Sequence, residues 1–206
     1  MIVGVFLRYF KTYRGWKYIP LTSQDNFCGL VGDNGVGKSS ILEALDCYFN
    51  NKIWNKNLAT KKSGEHVTPS IVPVFLVDSN FVTIENLEFS LEISNKIKNA
   101  TTGTSKLIFS DFSNHMNDLR KFISDFNDLL LLPLGLNIDG SFSEAIFSNV
   151  FSEDKTQEKA LLEFFRQEIE YIYIPTELDA QSFTKLETQE IQVLMGENLY
   201  SIISDL

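Results

Sequence analysis

Gly32-Asp33-Asn34-Gly35-Val36-Gly37-Lys38-Ser39, with Ser40 following, satisfies the pattern G-x-x-x-x-G-K-[ST] in full. The chemistry this spacing supports is the binding of a nucleotide's phosphates. Successive backbone N–H groups from Asn34 to Ser40 form a concave ring of donors, and the start of a helix adds its positive end. Gly35 and Gly37, on either side of Val36, carry no Cβ, so the backbone turns tightly and comes close to the phosphates. Lys38 is the expected catalytic cation, a point charge between the β- and γ-phosphates, and the Ser39 hydroxyl is the expected Mg²⁺ ligand.

The pattern needs a strand before it and a helix after it. Phe27-Cys28-Gly29-Leu30-Val31 is apolar on both faces, which suits a central strand covered on both sides. Ser39–Asn50 follows with helical periodicity, Ile41, Leu42, Leu45 and Phe49 sharing one face. Upstream, Ile2–Leu7 and Trp16–Leu21 read as strands separated by a polar turn. Downstream, residues 51–70 read as a loop or insertion. Val72–Val77 and Leu87–Ile93 read as strands, the second from its alternation of Leu87, Phe89, Leu91 and Ile93 with Glu88, Ser90 and Glu92. Asn95–Ser105 reads as a polar turn, after which Leu107–Phe109 could pair back. Residues 111–170 read as a mainly helical segment: one helix over Asn114–Leu132 with Leu119, Phe122, Ile123, Phe126 and Leu130 on its stripe, and another over Lys155–Glu168. Tyr171–Ile174 reads as a strand stopped by Pro175, and Phe183–Leu206 as a closing helix.

Composition narrows the partners. The chain has 206 residues, 44% of them hydrophobic and seventeen of them Phe, so it can bury a substantial core. A net charge of −9 excludes a general polyanion-binding surface, so nucleic-acid contact would come from a local patch or from a partner. Cys28 and Cys47 are too few for a disulfide scaffold and lie in apolar patterns, which predicts reduced core thiols of a cytoplasmic protein. Arg8 interrupts the first apolar run after seven residues, and no run is long enough to cross a bilayer, so neither a targeting signal nor a membrane contact is expected.

Three classes of phosphate-loop protein compete. A guanine-nucleotide enzyme needs N-K-x-D, and Asn51-Lys52, Asn55-Lys56 and Asn95-Lys96 all lack the Asp. A small-molecule kinase relies on several arginines, and only Arg120 and Arg166 follow the loop. The third class fits. Tyr9-Phe10-Lys11-Thr12-Tyr13-Arg14-Gly15, the loop itself and Ile41-Leu42-Glu43-Ala44-Leu45 together resemble the amino-terminal lobe of ABC-class ATPase heads of the SMC, RecF and OLD type. The resemblance is close over residues 1–50. Tyr171-Ile172-Tyr173-Ile174-Pro175 is similar to a strand end of the OLD-like and PtuA-like branch.

That resemblance implies an α/β fold: a P-loop NTPase lobe with a mixed sheet, an antiparallel β subdomain and flanking helices, residues 1–206 forming one lobe. It implies ATP and Mg²⁺ as cofactors, with Lys11 and Thr12 approaching the nucleotide from outside the loop. Glu177 and Gln181 are candidates for a second metal contact, the alternative being solvated residues at a helix start. The family's signature motif is absent, and so is its Walker B acid unless it is Asp78, whose Asp-Ser-Asn context reads first as a hairpin turn. His66 and His115 read as exposed loop or helix-start residues. The resemblance therefore implies a lobe that needs a carboxy-terminal partner lobe to hydrolyse ATP. It implies head-to-head dimers or higher oligomers that gate an attached or partner effector such as a nuclease, with DNA a possible further partner. A non-hydrolysing assembly module and a DNA-repair ATPase are the alternatives.

Overall fold

The computed structural model describes residues 1–21, 28–57, 68–99, 106–151 and 155–175. Compact units divide the chain into Met1–Tyr171 and Ile172–Leu206. In the second unit the described residues, 172–175, have no regular secondary structure, so the strand expected over Tyr171–Ile174 does not form; the closing helix expected over Phe183–Leu206 lies outside the described residues.

The first unit is built on one sheet. Strand β1 (Ile2–Arg8) pairs antiparallel with β2 (Trp16–Pro20) on one side and with β3 (Ser70–Val77) on the other. Beyond β3 the partner strand is split in two by Pro133-Leu134. Strand β4 (Leu130–Pro133) runs against Val74–Val77, and β5 (Gly135–Asn137) against Ser70-Ile71. A short β6 (Phe142–Ser143) closes the edge against β5. All eight residues of β3 are buried, as a strand covered on both faces must be.

Two faces follow from the pleat. Phe6 stands opposite Val72 and Tyr18, and meets Phe112 of helix α3 (Lys106–Phe122) and Phe147, with ring centroids at 5.6 and 5.7 Å. Gly4 leaves room there, because a Cβ on it would strike the ring of Tyr18. Phe75 faces the other way, onto Tyr48 and Phe49 of helix α1 (Lys38–Asn50) and Phe165 of helix α4 (Thr156–Glu168), the last at 4.8 Å. Helix α2 (Ile84–Asn99) lies along β4. Its Ser94 hydroxyl accepts the buried Leu131 N–H at 2.9 Å, which satisfies a backbone donor of β4.

Several sequence expectations are corrected by this packing. Leu87–Ile93 is helix, not strand: the buried residues of α2 are Ser90, Ile93, Ser94 and Ile97, a helical spacing, while Leu91 is exposed. Asn95–Asn99 continues that helix, and Leu107–Phe109 lies within α3. The helix predicted over Asn114–Leu132 starts earlier, ends at Phe122, and gives way to β4 at Leu130. Among the described residues the 111–170 segment thus holds three strands between its helices. On α1, Leu42 is exposed and Ala44 and Tyr48 are buried instead.

The strand expected at Phe27–Val31 is not formed over Cys28–Val31; Phe27 lies outside the described residues. Cys28 is exposed, and Val31 is 96% exposed. A central strand needs a ladder on each side. Here β1, β4 and β5 already occupy both sides of β3, and β2 and β3 both sides of β1. The expected mixed sheet is accordingly antiparallel in every pairing among the described residues. Among those residues no helix is long and apolar enough to cross a membrane.

Candidate functional site

The phosphate-loop residues lead directly into α1. Gly37 is its N-cap, with φ 103° and ψ 16°, and Gly35 has φ 84°. Both values lie in the region that residues with a Cβ avoid. Among the described residues no side chain caps the helix start, and its first turn holds no acidic residue, so its leading N–H groups would meet an anion without a competing carboxylate of their own. Lys38 Nζ donates to Gly32 O at 2.6 Å and to Asp33 O at 2.7 Å, which holds the ammonium over the beginning of the loop. The Ser39 side chain is exposed and Ser40 is buried. Asn34, Gly35 and Val36 are exposed, forming the rim.

A second wall comes from the connection between β1 and β2. A Cβ on Gly37 would lie 2.5 Å from Thr12 Oγ1 and 3.1 Å from the Tyr13 ring, so only glycine lets these two segments touch. The Tyr13 hydroxyl donates to Gly37 O at 3.2 Å, and burial raises its pKa above the usual phenol range. Lys11 forms an ion pair with Glu43, one turn into α1. The structure therefore sets Thr12 against Gly37 of the loop and Lys11 against Glu43 of the helix that the loop leads into. Glu177 and Gln181 lie outside the described residues.

Glu43 and Tyr13, which the sequence placed in the resembling segments without a role, also line the site, and Asn57 enters it unannounced by the sequence. Asn57 is 6% exposed, and its side-chain amide donates to Lys11 O at 2.5 Å and to Tyr13 O at 3.3 Å. It belongs to a stretch read as a polar loop, and no local pattern distinguishes it from its neighbours. Only the bridge between Phe10 and Lys56 brings it to the Lys11–Tyr13 turn. Glu43 carried a weak signal, being the one carboxylate in the early turns of an otherwise apolar and small-residue helix segment.

The Asp78 carboxylate accepts the Asn80 N–H at 2.7 Å and caps a single 3-10 turn, Ser79–Phe81; Asp78 stands in a turn as expected, but helix α2 and not a returning hairpin strand follows it. His115 is not at a helix start: it lies within α3, with Nδ1 2.8 Å from the Tyr18 hydroxyl. His66 lies outside the described residues. Tyr171 stacks on Phe49 at 5.5 Å and donates its hydroxyl to Leu42 O, so the end of the first unit rests on α1. Cys47 is a core thiol, pushed up to about 11 by burial first and Asp46 second.

Among the described residues no group of three or more His, Cys, Asp or Glu could hold a metal ion. What the loop offers is one exposed hydroxyl, Ser39, at the helix start. That suits Mg²⁺, which keeps several waters and is bound largely through substrate phosphates. No curated protein and no solved structure matches the chain. The family model of the AAA ATPase domain matches residues 1–205, nearly the full 206, and the chain belongs to that family.

Proposed function

We propose that this chain is the nucleotide-binding lobe of an ATPase and takes ATP with Mg²⁺ on the Gly32–Ser39 loop. The observation that carries the reading is the meeting of Gly37 with Thr12 and Tyr13: an uncapped helix start, a lysine and a second polar segment converge on one point. In this reading the N–H groups of Asn34 to Ser40 hold phosphate oxygens, Lys38 exchanges the carbonyls of Gly32 and Asp33 for them, and Ser39 reaches the Mg²⁺. Lys11 and Thr12 contact the nucleotide from the opposite side. With Ser39 as its protein ligand, Mg²⁺ would supply charge neutralisation to the phosphates when bound.

Hydrolysis also needs a group that orients water. Asp78, the acid after β3, is a turn cap, which supports a lobe whose water-activating acid comes from another lobe or chain. The resemblance to SMC, RecF and OLD heads supports ATP-dependent dimerisation of a cytoplasmic assembly that acts on DNA or in defence against phage. In it, the paired heads gate an attached or partner effector such as a nuclease. The same observation on Asp78 favours a second reading, an assembly module that binds ATP without splitting it.

Calorimetric titration with Mg²⁺-ATP tests the binding step. The wild-type chain should bind and Lys38→Ala should not; equal heats from both would sink the assignment. Light scattering with and without a slowly hydrolysed ATP analogue tests the assembly step. A mass that stays the same in both conditions would remove the dimerisation reading and leave the binding reading standing.

A further inference from the structure

The turn that presents Lys11 and Thr12 is held from outside itself. Tyr9 and Lys11 have φ of 51° and 47°, left-handed backbone at residues that carry a Cβ. Such conformations persist where neighbours over-determine them. Here the neighbours are residues 55–57, in the stretch that leaves the end of α1. Asn55 O accepts the Lys11 N–H at 2.8 Å, and the Asn57 N–H donates to Tyr9 O at 3.0 Å. The Asn57 side chain then donates to the carbonyls of Lys11 and Tyr13, the two residues that flank Thr12. The Lys11–Thr12 and Tyr13–Arg14 peptide units, which bracket the Thr12-Tyr13 pair, are thus fixed by one buried carboxamide. Thr12 and Tyr13 are the residues that meet Gly37, and Lys11 is met by Glu43 from α1.

One helix therefore reaches both walls of the site. Its first turn is the phosphate loop's anchor, its second turn carries Glu43, and the chain leaving its far end comes back to hold the opposite wall. Resting on the ATP-binding reading above, we infer that Asn57 is a positioning residue for nucleotide binding. Its side-chain amide keeps Lys11 and Thr12 set against the phosphate loop, and it touches no nucleotide itself.

The test is titration of the purified chain with Mg²⁺-ATPγS. Asn57→Ala removes both side-chain donors and should weaken binding about tenfold, the scale of two modest hydrogen bonds. In a Lys11→Ala/Thr12→Ala background the same substitution should change affinity by less than about twofold, because the groups it acts through are gone. A folded Asn57→Ala variant with wild-type affinity overturns the inference, and so does an undiminished loss in the double-variant background. Should Asn57→Ala not fold, hydrogen exchange on the wild-type chain decides. Mg²⁺-ATPγS should slow exchange at the Lys11 and Asn57 amides together with the 34–40 amides. Protection confined to 34–40 overturns the inference. A wild-type chain that binds no nucleotide overturns this inference and the ATP-binding reading together, whereas binding that is indifferent to Asn57 overturns this one alone.

Discussion

Gly37 shows most clearly how a single residue sets the site. Its φ of 103° and the 2.5 Å approach to Thr12 Oγ1 exclude a side chain for two separate reasons. Gly37→Ala should destabilise the chain by about 2 kcal/mol from backbone strain and displaced Thr12, measured by urea unfolding, and should weaken nucleotide binding more than the stability loss explains. The neighbouring ion pair gives a prediction of opposite sign. Glu43 neutralises Lys11 and adds negative charge beside the proposed polyphosphate site. Glu43→Gln should therefore tighten ATP binding by a few-fold at low salt, the gain fading above about 0.5 M salt as screening sets in. A loss of affinity at low salt would mean that Glu43 matters more as a brace for Lys11 than as a competing charge.

At the scale of elements, α1 is tied down along its length. The Tyr48 hydroxyl donates to Leu134 O at 2.8 Å, and Arg166 Nε of α4 donates to the Tyr48 carbonyl at 2.7 Å. Arg166 also lies over the Tyr48 ring at 5.7 Å and pairs with Glu163. These contacts satisfy a carbonyl at the helix end and hold its last turn in place. Tyr48→Phe should cost about 1 kcal/mol with little loss of burial, and Phe165→Ala about 4 kcal/mol by opening a cavity against Phe75, both read from urea midpoints. Ser94→Ala tests the edge of the sheet in the same way. It leaves the buried Leu131 N–H without its partner and should cost about 1–2 kcal/mol, with increased aggregation as a second readout.

Across the whole molecule, stability should fall on the alkaline side. Burial raises Tyr18 and Tyr48 far above the usual phenol value of 10.0, and Cys47 from 9.0 to about 11. Each group keeps its proton in the folded chain at a pH where the unfolded chain has released it. The folded state then binds more protons, and stability decreases as pH rises through the unfolded values. Loss should begin near pH 9 with Cys47 and steepen above pH 10 with the two tyrosines. Each fully shifted group contributes about 1.4 kcal/mol per pH unit. Urea midpoints that stay flat from pH 8 to 11 would contradict the burial of these groups. The whole-molecule charge of −9 works in the same direction, since each further ionisation adds to self-repulsion.

What could be read from the sequence was whatever a contiguous stretch specifies by itself. Eight residues, Gly32–Ser39, carry the glycines, the lysine and the hydroxyl of the phosphate loop, and α1, β1, β2 and α4 each follow from a local period. The tertiary structure decided the matters in which one segment depends on another. In α2, Leu87, Phe89, Leu91 and Ile93 alternate as a strand would, yet the helix forms because Ser90, Ile93, Ser94 and Ile97 fit along β4 and Ser94 reaches Leu131. Apolar Cys28–Val31 would suit a central strand, but β3 fills that position with both its edges paired. Asn57 is 46 residues from Lys11 in the chain and one hydrogen bond away in space. Hydrophobic period and turn chemistry are local properties, legible in order along the chain. Ladder occupancy and the partner of a buried amide are set only when distant segments compete for the same place.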